Sequence, residues 1–208
     1  MQEQLFFRGF QKPPGGPRRP PPPGRPPRPP GHHALFFALF PPRPAALRTD
    51  TLAWDLRHAH GLSGRPIGER RYHVSLFGVG RFEAPPDGLP AALADAASTV
   101  RARPFDLLFD EAQSFGKYGR RPLVLRLGKG LDPLLALRRK LVGALLDGGI
   151  IARASLAFVP HLTLLYDNTA IEDQPVEPIA WTARELTLVH SLVGQTLYLP
   201  LGRWRLDG

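Results

Sequence analysis

The chain contains no cysteine among its 208 residues, so disulfides, thiolate metal sites and a cysteine nucleophile are excluded, and redox chemistry says nothing of compartment. Long apolar runs are missing too. "ALFFALF" (34–40) falls far short of the roughly 20 residues that a membrane span requires, so no crossing is expected. The opening "MQEQLFFRGFQK" has neither a continuous apolar core nor a small-residue cleavage site. No secretory signal is therefore expected, and the chain reads as cytoplasmic. The glycine strings "FGVG" and "LGKGLDP" lack a lysine followed by serine or threonine at a helix start, so a nucleotide-driven ligase has little support and no cofactor is expected. His58 and His60, in "RHAHG", lie two apart in a predicted helix and do not face each other, so no metal site is expected.

Proline and arginine are plentiful, and they are concentrated at one end. Residues 13–30, "PPGGPRRPPPPGRPPRPP", hold only proline, glycine and arginine, with no side chain to nucleate a core. Residues 1–31 are expected to be an extended or disordered tail. The formal charge of +9 is partly a property of that tail, where six basic residues face one acid; the other 177 residues have twenty-one against seventeen. A basic surplus favours polyanionic partners, but the part expected to fold, 32–208, is only mildly basic. Arg70 and Arg71 beside one strand, and Lys117, Arg120 and Arg121 in one loop, are the clusters best placed to meet a nucleic-acid backbone, with Tyr118 as a stacking candidate.

Beyond the tail, short apolar runs alternate with helical stretches. "HALFFALF" predicts a first strand, and a helix follows over 43–59. "RRYHVSLFGVG" predicts a second strand, and 89–100 a second helix. "FDLLFDEAQSF" and "RPLVLRLG" predict two strands joined by the glycine-rich loop 116–121. Asp132 is expected to cap a third helix that has Pro133 at its first position and stops at Gly148 and Gly149. "HLTLLYD" is a further strand, and "ARELTLVHSLVG" with "TLYLPLGRWRL" forms a closing hairpin. The order predicts an α+β fold in two similar halves.

Each half contains one strand with an embedded polar pair: "YHVSLFG" (72–78) and, 88 residues later, "PHLTLLY" (160–166). Seven histidines and fourteen serines and threonines give about half of one His-x-Ser/Thr pair by chance, so the matched position mid-strand in both halves is the stronger signal. Side chains alternate along a strand, so His73, Ser75 and Phe77 are expected on one face, and His161 with Thr163 likewise. Two imidazoles converging on a cleft suit displacement at phosphorus. One takes the proton of water, the other protonates the departing oxygen, and the hydroxyls hold the phosphate.

These residues carry a resemblance: "FFALFPP", then "YHVSLFG" and "VPHLTLLYD", resemble the 2H phosphoesterase superfamily and its bacterial RNA 2',3'-cyclic phosphodiesterase branch, often labelled 2'-5' RNA ligase. The resemblance spans about residues 33–205. It implies a bilobal, pseudo-twofold fold of antiparallel sheets with outer helices around a central cleft. It also implies metal-independent hydrolysis of RNA 2',3'-cyclic phosphate ends, or of small cyclic nucleotides, to 2'-phosphates, by a chain expected to be monomeric. By motif position His73 matches the proton donor, His161 the proton acceptor, and Ser75 and Thr163 the phosphate-holding hydroxyls. Phe115 matches an aromatic that precedes a substrate loop. Tyr166, also expected at the substrate, stands where that branch often has a basic residue, which leaves small cyclic phosphates open beside long RNA. The competing readings are a non-catalytic binder of nucleotides or RNA ends, and a 2'-5' ligase running the same chemistry in reverse.

Overall fold

A computed structural model describes residues 32–116, 118–154 and 157–208; the proline- and arginine-rich segment 1–31 lies outside them. Among the described residues the elements run β1 (His33–Leu39), α1 (Arg43–Ala59), β2 (Val74–Phe82), α2 (Leu89–Ser98), β3 (Phe105–Ser114), β4 (Arg121–Lys129), α3 (Leu131–Asp147), β5 (His161–Asp167), β6 (Gln174–Ala183), β7 (Glu185–Leu192) and β8 (Leu197–Arg205). The expected α+β fold is present. Its eight strands form one antiparallel sheet in the order β6-β3-β4-β5-β2-β1-β7-β8.

That order reads alike from both edges. A twofold between β5 and β2 exchanges β1-α1-β2 with β4-α3-β5, and β7 and β8 with β3 and β6. The helices tie the halves together: α1, which joins β1 to β2, packs on β5 and β6, while α3 reaches β2.

Local sequence accounts for the helices. In α1, Pro44 sits in the first turn, where a missing N–H costs nothing, and Ala45, Thr49, Ala53 and Leu56 recur at three- and four-residue spacing to form the buried stripe. In α3 the same stripe is Leu134, Leu137, Leu141 and Leu145. The cap of α3 differs from the expectation. Gly130, at φ +98°, precedes the helix, and Asp132 lies within its first turn. A Cβ at Gly130 would stand 2.2 Å from the Asp106 carbonyl oxygen, so the tight left-handed entry requires glycine and displaces Asp132 from the capping position. Asp132 still faces the positive end of the helix.

β6 has no counterpart in the sequence reading, because Pro175 and Pro178 interrupt its pattern. Both are tolerated because β6 is an edge strand, paired on one side only, with β3. Its Trp181 stacks on Phe109 at 5.0 Å and 12°, anchoring that edge to the core.

The most consequential irregularity appears twice. In β1·β2, Phe37 pairs with Phe77 but Ala38 with Ser75, which leaves Leu76 as an extra residue. In β4·β5, Leu123 pairs with Leu165 but Val124 with Thr163, which leaves Leu164 extra. Both are bulges one residue past a His-x-Ser/Thr pair, and each turns two consecutive apolar side chains inward. Phe77 is therefore not on the face of His73 and Ser75, as strict alternation predicts; it is buried with Leu76 in the core.

Candidate active site

β2 and β5 meet at one bridging pair, Val74 opposite Leu162, and both side chains are fully buried. In an antiparallel pair the residues flanking such a pair project from the other face, so extending the register sets His73 opposite Thr163 and Ser75 opposite His161. All four groups then share one face, with the two histidines on a diagonal roughly 7–8 Å long. The charge of His161 is felt at the His73 ring, consistent with that proximity.

Both imidazoles are anchored in the same way. Nδ1 of His73 is 2.7 Å from the Arg71 carbonyl oxygen, and Nδ1 of His161 is 2.8 Å from that of Val159. A carbonyl only accepts, so in each neutral ring the proton sits on Nδ1 and the lone pair on Nε2. Nε2 of His73 accepts from the Ser75 hydroxyl at 3.0 Å.

The surroundings differ. His73 packs against Phe36 at 5.0 Å, Phe40 at 5.6 Å and Tyr198 at 5.5 Å. Its pKa is lowered to about 4, chiefly because burial disfavours the charged ring, with further lowering from His161 and Arg71; the bond to the Arg71 carbonyl opposes this. His161 meets Phe115 edge-on at 5.1 Å and stands opposite Arg126, which faces Glu111 at 3.6 Å.

Phe115 is held by its N–H, which donates to the Pro122 carbonyl at 2.9 Å. The β5 bulge shifts the alternation by one, so Tyr166 is exposed while Leu165 is buried, and Tyr166 falls on the same side of β5 as His161 and Thr163. The Arg120 guanidinium lies 5.9 Å from the centre of its ring. Below it, the Asp167 carboxylate accepts from Gly64 N at 2.6 Å, Thr169 N at 2.8 Å and Ser63 Oγ at 3.0 Å, which fastens the loop after α1 to the end of β5.

The register thus sets His73, Ser75, His161 and Thr163 on one face of the β2–β5 pair, with Phe115 against the His161 ring and Tyr166 exposed further along β5. The sequence reading missed the aromatic wall of Phe36, Phe40 and Tyr198. Phe36 was accessible in principle, since it alternates with the buried Leu35 and Phe37. Tyr198 comes from β8, two strands away from β1, and no spacing in the chain signals its approach. His190 lies elsewhere, 2.7 Å from His33 and registered with the buried Leu35. Tyr118 is 90% exposed and touches no core. Among the described residues no three histidine, aspartate or glutamate side chains gather as metal ligands, and no helix is long and apolar enough to cross a membrane.

Comparison with known proteins gives concordant matches. Residues 40–195 match the family model of the 2'-5' RNA ligase superfamily. The chain is 30% identical over 178 residues to the RNA 2',3'-cyclic phosphodiesterase of Escherichia coli strain K12, covering 83% of this chain and 96% of that protein. Among solved structures, E. coli LigT complexed with 3'-AMP superposes with a TM-score of 0.69 at 25% identity, over 86% of this chain and 99% of that one. A Thermus thermophilus protein, TT0787, matches at 0.66 with 21% identity over 84% and 98%, which speaks for the fold alone.

Proposed function

Because the chain belongs to the 2'-5' RNA ligase superfamily, the 2H phosphoesterases, we propose that it hydrolyses 2',3'-cyclic phosphates at RNA ends or on small nucleotides, leaving a 2'-phosphate. The observation that carries this reading is the Val74–Leu162 pair, since it brings the two strands that hold the His-x-Ser/Thr motifs side by side.

The cyclic phosphate sits between the rings. Nε2 of His161 takes a proton from water as the water oxygen bonds to phosphorus, and Nε2–H of His73 delivers a proton to O3' as the P–O3' bond breaks. Ser75 and Thr163 donate to the non-bridging oxygens, where charge accumulates. Each Nδ1–H···O=C bond fixes its ring and tautomer, so the reacting nitrogen is Nε2 on both sides. In the free protein His73 is neutral near pH 7, its pKa being about 4. A phosphate anion seated beside it attracts the imidazolium form and raises that pKa, so the substrate itself generates the acid.

Product analysis tests the reading. Incubation with adenosine 2',3'-cyclic phosphate and with cyclic-ended oligoribonucleotides is expected to give 2'-phosphates alone. Formation of 3'-phosphate would reverse the leaving group, and failure to open either substrate would overturn the proposal.

A further inference from the structure

Beside His73 lies a cavity of about 470 Å³, lined in part by Phe40 and Tyr198, two of the aromatic residues against which the His73 ring packs. Three guanidinium groups from different elements line it: Arg43 from the start of α1, Arg70 from the loop before β2, and Arg203 from β8. Arg203 is paired with Glu185 at 3.1 Å. Among the described residues Arg43 and Arg70 have no hydrogen-bond or ion-pair partner, and both are exposed to the cavity. The one carboxylate in the lining is Glu69, whose Oε2 is buried without a donor. With Arg203 neutralised by Glu185, the two guanidinium groups of Arg43 and Arg70 outnumber the one carboxylate of the lining, which favours an anion between them, and a forked guanidinium suits a phosphate better than a single point charge would.

The position of the cavity matters as much as its charge. In the in-line reaction proposed above, water approaches from His161 and the ribose oxygen departs toward His73, so the nucleoside extends away from His161. That direction leads past Phe40 and Tyr198 to the arginines.

We propose that this cavity holds a second phosphate of the substrate, the one on the 5' side of the reacting ribose, and that the enzyme therefore prefers 5'-phosphorylated nucleoside cyclic phosphates and the cyclic 3' ends of oligoribonucleotides over bare nucleoside cyclic phosphates. The proposal rests on the hydrolase reading for the placement of the ribose. Arg43 and Arg70 grip the phosphate oxygens.

The test separates the two claims. Turnover of adenosine 2',3'-cyclic phosphate probes the chemistry. Calorimetric titration with adenosine 2',5'-bisphosphate and with adenosine 2'-phosphate, which need no turnover, probes the cavity. The bisphosphate is expected to bind roughly tenfold to a hundredfold tighter, as charge-assisted hydrogen bonds of this kind allow. That ratio should fall toward one in the Arg43→Gln, Arg70→Gln double variant and shrink with added salt. Equal affinities in the wild type, or a ratio that survives the double substitution in a variant whose circular dichroism matches the wild type, would overturn the subsite and leave the hydrolase reading standing. Tight, arginine-dependent binding without turnover would do the reverse.

Discussion

His73 and His161 are anchored alike, each by Nδ1 to the carbonyl two residues back, and each is followed by a hydroxyl and then a bulge. Around that shared frame the halves have diverged. His73 is enclosed by three aromatic rings, whereas His161 has one ring and faces Arg126. Six residues past each histidine, the first half has a buried valine, Val79, and the second a buried aspartate, Asp167. Five past, the first has Gly78 and the second Tyr166. The backbone repeat sets where the two imidazoles stand, and the neighbours divide the roles in the proposed reaction: an apolar pocket suits a nucleoside and its leaving oxygen, a more open polar one suits water.

Removing either imidazole gives the largest expected effect. His73→Ala and His161→Ala should each lower kcat by about 10²- to 10⁴-fold, because general acid and general base each contribute on that order. The asymmetry sharpens this test. A substrate with a phenolate-like leaving group needs no proton from an acid, so it should rescue His73→Ala and not His161→Ala. Equal rescue of both variants would break the assignment of the halves to leaving group and water.

Asp167 and Val79 offer the next contrast. Asp167→Val makes the second strand imitate the first, yet it strips an acceptor from two backbone N–H groups and a hydroxyl, so the fold should lose about 3 kcal/mol in denaturant unfolding. The carboxyl is held near pKa 2, against 3.8 for an ordinary aspartate, chiefly by the N–H groups of Thr169 and Gly64. A depressed folded pKa stabilises above the unfolded value, and that contribution is lost as pH falls from about 3.8 through 2. Asp167→Asn should flatten the unfolding free energy across this window. An unchanged slope would mean that the carboxylate is not what fastens the loop to β5.

Much of this frame was legible in the chain. Among the described residues, all three helices and seven of the eight strands follow from apolar periodicity and its interruptions, because each buries one face against a single neighbouring layer. β6 was hidden because Pro175 and Pro178 break the pattern, and only its edge position excuses them. The histidine and hydroxyl pairs were legible because alternation is local. The inward turn of Phe77 and the outward turn of Tyr166 were not, since both depend on bulges, and a bulge is a property of register with a partner strand. The aromatic wall was equally hidden, assembled from β1, the residue after it and β8.

That wall makes the next prediction, on pH. Burial lowers His73 to about 4, so kcat/KM, which reports the free enzyme, should show an ionisation near pH 4. In kcat, with phosphate bound, the same ionisation should lie at higher pH. Phe40→Ala opens the ring to water and should raise the kcat/KM value toward the ordinary 6.5 of histidine. Phe115→Ala, made on the other half, should leave it in place. If both substitutions moved the profile alike, the two pockets would not be electrostatically distinct.

The smallest effect is expected where the halves are most alike. Ser75→Thr gives the first strand the hydroxyl of the second and adds one methyl on the exposed side of β2, opposite the small Ala38. The methyl stiffens the rotamer but keeps the Oγ that bonds His73 Nε2, so kcat should change by no more than about threefold. Ser75→Ala removes the donor and should cost at least about tenfold, as the loss of a group that stabilises developing charge does. If threonine were as damaging as alanine, the hydroxyl would not be acting simply as a phosphate donor, and its 3.0 Å bond to His73 would carry the role instead.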